Sequence, residues 1–65
     1  MDVVELKRAR SMLVLLHATC EQTRLALEAA GNEFDTDLTR DLSAMVERSE
    51  AGLERLQARI EAASA

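Results

Sequence analysis

The sequence predicts an all-α fold: an antiparallel two-helix hairpin that dimerises into a four-helix bundle. Three observations carry this reading. Proline is absent from the 65 residues, glycine occurs twice and one residue is aromatic, while the helix formers Ala, Leu, Glu and Arg dominate. Two stretches of unbroken 3-4 apolar spacing flank the break at Gly31-Asn32, and such spacing marks a helix with one packed seam. Met12 to Leu16 are consecutive large apolar residues. At roughly 100° per residue they surround the helix, so a partner is expected on more than one side.

The first helix is expected over about residues 3–30. Asp2 is placed to cap it, its carboxylate accepting from the Glu5 amide while Glu5 reaches back. Its seam reads Leu6, Ala9, Leu13, Leu16, Cys20, Thr23, Leu27 and Ala30, with Met12, Leu15, Ala26 and Ala29 on one flank. Val14 and Leu25 lie away from it. Gly31 follows the seam where a left-handed C-terminal cap belongs.

The turn is expected at about residues 31–34 and the second helix at about 35–62, within a single domain of residues 1–65. Asn32, Asp35 and Thr36 all suit an N-cap, and Glu33, Asp35 and Asp37 favour the positive end of a helix dipole. Phe34 and Leu38 stand one turn apart and suit either a helix that has already begun or an apolar clasp over the turn. The second seam reads Thr39, Leu42, Val46, Ser49, Leu53, Leu56, Ile60 and Ala63, widened by Leu38 and Met45. Gly52 lies inside this helix and weakens it by roughly 1 kcal/mol relative to alanine. It reads as a tolerated glycine, with close approach of another backbone as the alternative. The end from Glu61 to Ala65 is expected to fray.

The two seams match when folded back tightly. Leu27 falls opposite Thr39, Thr23 opposite Leu42, Cys20 opposite Val46 and Leu16 opposite Ser49. Leu13 then meets Leu53, Ala9 meets Leu56 and Leu6 meets Ile60. Several pairs set large against small, as interdigitating layers require. A competing seam through Leu38, Leu42, Met45 and Leu56 is also open. The plan resembles small bacterial helical hairpins, among them plasmid copy-number RNA-binding hairpins and secretion co-chaperones. That likeness is of architecture, and no functional position is carried over from it.

So small a chain needs reinforcement beyond one core. One cysteine makes no internal disulfide, and one histidine beside it makes a poor metal site, which leaves oligomerisation. A single two-helix interface has no place for Met12, Val14, Leu15, Leu25, Leu38 and Met45. These six are the candidate interface residues. Residues 21–41 carry six acids and two arginines, whereas residues 1–10 with 54–65 carry four acids and five bases. The turn end is therefore acidic and the open end slightly basic, which favours copies packed with their turns at opposite ends.

Other chemistry is sparse. His17 and Cys20 stand at a spacing that can share a metal, and two hairpins would supply four ligands. A buried structural cysteine beside a partly exposed histidine is the preferred reading, so neither a metal nor a cofactor is expected. His17 and Glu21 suit a weak pair one turn apart. No nucleophile has a companion base at a recognisable spacing, and no enzyme is expected. Lys7, Arg8, Arg10, Arg55 and Arg59 make a local basic zone, and so an RNA-binding alternative. Asp2, Glu5, Glu54 and Glu61 in the same region, the net charge of −4 and the lack of stacking aromatics weigh against nucleic acid. The apolar run is too short to span a bilayer. With Lys7, Arg8 and Arg10 before it and Cys20 after it, the run loosely resembles a bacterial lipoprotein signal, but His17 and Thr19 fit that poorly. An unpaired cysteine agrees with a reducing, cytoplasmic setting. The expected role is a non-enzymatic protein–protein interaction module of adaptor, co-chaperone or regulator type, a homodimer or the complement of another helical protein. The alternatives are a small nucleic-acid-binding regulator and a metal-binding hairpin.

Overall fold

Each helix starts at a carboxylate cap. In the computed structural model, which describes residues 2–31 and 35–65, Asp2 is extended and its Oδ1 accepts from the Glu5 amide at 2.9 Å. Helix α1 then runs Val3–Ala29. It ends as its last residues predict. Gly31 turns to φ 90°, a conformation that costs a side-chain-bearing residue dearly. Its amide donates to the Glu28 carbonyl at 3.0 Å, and the Ala30 amide donates to Ala26 at 3.1 Å. Two of the carbonyls that a helix end leaves without partners are thereby satisfied.

Of the candidate caps for the second helix, Asp35 is the one used. Its Oδ1 accepts from the Leu38 amide at 2.9 Å, and its carbonyl accepts from the Thr39 hydroxyl at 3.1 Å. Helix α2 runs Thr36–Ser64, with Asp37 in its first turn. The expected fraying from Glu61 is not seen; the helix continues through Ser64. The expectations for Asn32, Glu33 and Phe34 lie outside the described residues.

α1 and α2 pack antiparallel along their length. The molecule is a rod of 48 × 14 × 14 Å with a radius of gyration of 14.6 Å, against about 11 Å for a compact chain of this size. Arg10 meets Gln57, Leu13 meets Gly52, and His17 meets Ser49. The register is the one that matches the two seams.

The shared face is thin. Leu6, Cys20 and Ile60 are its buried apolar residues, joined by the buried hydroxyls of Thr39 and Ser49. Leu42, Val46, Leu53 and Leu56 are half-buried, so α2 presents the expected seam as far as Ile60; Ala63 is exposed. α1 is rotated from its expected seam. Leu6, Leu13, Cys20 and Leu27 face α2 as expected, but Leu16 and Thr23 are exposed and Arg10, His17 and Arg24 turn inward instead. Both rows share the residues that recur every seven positions, so apolar spacing alone does not choose between them. Polar partners on α2 do. Ser49 bonds His17 and Gln57 bonds Arg10, and the long arginine stems cover apolar surface while their heads reach the rim.

Candidate interaction surface

Rotating α1 this way adds Leu16 to the apolar residues left on the outside. Met12 is 65% exposed, Leu15 64%, Val14 48%, Leu16 45% and Leu25 43%, and Leu38 and Met45 on α2 are each 39% exposed. The six candidate interface residues are therefore all open to solvent, but they do not form one patch. An open groove between the helices is lined by Leu13, Leu16, Met45, Ser49 and Gly52, with Arg48 and Arg55 along its α2 rim. Met12 stands one turn before Leu16, and Leu38 two turns before Met45, so both extend this face. Leu15 borders it. Val14 stands one turn after Arg10, which belongs to the opposite groove with Leu53, Glu54, Gln57, Ala58 and Glu61. Leu25 follows Glu21 on that same far flank.

Leu16 is misplaced by the sequence reading, as a core partner of Ser49, and Thr23 with it, as a partner of Leu42. Leu16 lies at the edge of the groove. The signal that would have found this was polar: His17, one position on, is the only histidine in the chain and has a serine to bond at the matching height.

Gly52 has a specific neighbour. A Cβ built on it would come 3.1 Å from Leu13 Cδ2, tighter than ordinary contact. Leu13 thus lies over the glycine, and the close approach there is to a side chain rather than to another backbone. The space that a side chain at Gly52 would take is filled by Leu13.

His17 Nδ1 lies 2.8 Å from Ser49 Oγ, and Nε2 lies 3.4 Å from Glu21 Oε2. The connectivity superficially matches a serine–histidine–acid relay. The Ser49 hydroxyl is 6% exposed and sits 3.0 Å from the Val46 carbonyl, to which it donates. The same Oγ shares a hydrogen bond with His17 Nδ1 across the two helices. A hydroxyl buried in this way ties two helices together and is shielded from a substrate. Cys20 is buried one turn further along. Among the described residues, no three His, Cys, Asp or Glu side chains gather as metal ligands.

The expected basic zone is divided. Arg10 lies in one groove and Arg55 in the other. The charge of α2 is segregated in the same sense, with Arg48 and Arg55 on the Leu16 side and Glu54 and Glu61 on the Arg10 side. Among the described residues, the ion pairs are His17–Glu21, Arg24–Glu28 and Arg40–Asp37, each within one helix. Arg48, Arg55 and Asp41 take part in none of them.

Neither helix is long and apolar enough to cross a membrane. No protein-family model, curated protein or solved structure matches the chain.

Proposed function

We propose that this chain is a non-enzymatic protein–protein interaction module that works by self-association, two hairpins forming a four-helix bundle. One observation supports this above the others. The groove lined by Leu13, Leu16, Met45 and Gly52 is open in the lone hairpin, and the exposed Met12 and Leu38 stand on the same side of their helices. Exposed apolar surface gathered on one side of so small a chain marks a place where another protein sits. Val14 and Leu25, on the far flank, are left out of this interface.

Against the nucleic-acid alternative stand the net charge of −4 and the placing of Arg10 in the groove opposite Arg48 and Arg55, since phosphate binding gains from charge gathered on one surface. Light scattering on a gel-filtration column tests the proposal. A particle of twice 7.2 kDa is expected. A well-folded single hairpin, or a species that gains mass only when RNA is added, would count against it.

A further inference from the structure

We propose that a second copy of this chain covers the Leu16–Met45 groove in one register, related by a two-fold axis that passes beside Arg48 of α2. This rests on the self-association reading and gives it a partner face and an alignment. The charges on the rim are what fix the alignment. Asp41 and Arg55 stand seven residues on either side of Arg48, and Asp37 and Arg59 stand eleven on either side. All of these side chains are exposed. When α2 lies antiparallel to its copy across that axis, Asp41 of each chain faces Arg55 of the other, and Asp37 faces Arg59. A two-fold interface must be self-complementary, residue by residue. A rim that reverses its charge about a single point meets that condition. Asp41, Arg48 and Arg55 recur every seven residues and so form one row beside the groove, as edge charges do in paired helices.

Shape agrees with charge. Met45 stands three residues before Arg48 and Gly52 four after it, so the axis sets the long Met45 side chain of one copy level with Gly52 of the other, which carries none. On α1 the same axis passes near His17 and Ala18, because His17 is level with Ser49. Leu16 then faces Thr19 of the second copy, and Met12 faces Thr23. Both threonines are exposed in the hairpin, and large residues again meet smaller ones.

Area agrees as well. The hairpin exposes 4779 Å² at 7.2 kDa, where a compact monomer of that mass exposes about 4,100 Å². The excess of about 650 Å² is close to the roughly 800 Å² that each partner contributes to a standard stable interface. The axis also sets each acidic turn end beside the basic open end of its neighbour. The cost is local. The two Arg48 side chains approach at the axis, where they are exposed and free to splay, and Asp37 is shared with Arg40 of its own chain.

Reversing charges tests this alignment. Asp41→Arg and Arg55→Asp, each alone, set like charges together twice per dimer and are expected to weaken dimerisation about tenfold in sedimentation equilibrium at low salt. Asp41→Arg with Arg55→Asp restores the pairing and returns the dissociation constant to near the original. Circular dichroism of each variant at high concentration checks that it still folds. If the unaltered chain dimerises and the double reversal is no better than the single ones, the alignment is wrong while self-association stands. Rescue by Asp41→Arg with Arg48→Asp would likewise overturn it, in favour of a shifted register. If the unaltered chain never dimerises, or binds only anionic vesicles or RNA, the self-association reading falls and the alignment falls with it.

Discussion

Leu16 and Val14 are almost equally exposed in the lone hairpin, at 45% and 48%, yet they lie on opposite sides of α1. Only Leu16 belongs to the groove. Fully burying a leucine side chain is worth about 1.5–3 kcal/mol. The part of Leu16 still exposed therefore represents about 1 kcal/mol that a covering partner would recover. A symmetric dimer contains the residue twice, so Leu16→Ala is expected to weaken dimerisation by about 2 kcal/mol, or about thirtyfold in the dissociation constant. Val14→Ala is expected to leave it within about twofold, since surface substitutions away from a contact change little. Sedimentation equilibrium over a range of concentrations reads both values. Equal effects from the two substitutions, or a larger one from Val14→Ala, would show that the groove is not the covered face.

Three further substitutions probe the hairpin itself. Gly31→Ala places a side chain at φ 90° and is expected to cost about 1 kcal/mol, a fall of about 5 °C in Tm by circular dichroism; an unchanged Tm would mean that the turn is built differently. In a double-mutant cycle, His17→Ala and Ser49→Ala should be coupled by about 1 kcal/mol in urea unfolding. Strict additivity would show that the 2.8 Å contact contributes nothing. Leu6→Ala removes a core side chain that is 3% exposed and should cost about 2–5 kcal/mol, enough to abolish the cooperative thermal transition; a loss below about 1 kcal/mol would place the core elsewhere.

Much of the hairpin was legible in the residues because its signals are local. A carboxylate before an apolar-periodic run caps a helix wherever it occurs, and Asp2 does so. Gly31 takes the left-handed conformation that a helix end often requires. The α2 seam could be read because its apolar and small residues occupy one row, and its alignment along α1 followed from matching the two seams. The rotation of α1 could not be read from apolar spacing. Leu6, Leu13, Cys20 and Leu27 belong equally to a seam through Leu16 and to one through His17, and hydrophobicity favours the wrong one. The contacts with Ser49 and Gln57 that favour the other are long-range and polar. That α1 would leave large apolar residues open was legible, because five large apolar positions in a row exceed what one neighbour can cover. Their division into a groove face and a far flank was not, because that division depends on which way α1 turns.

The account stands on a second copy being needed to bury the groove, and thermal unfolding at several protein concentrations tests this most directly. Association that stabilises only the folded state makes the melting temperature depend on concentration. Across about a hundredfold dilution, Tm followed by circular dichroism is expected to fall by several degrees as dimers separate. A melting temperature that stays constant over that range, with full helicity retained and a particle mass of 7.2 kDa, would contradict the account.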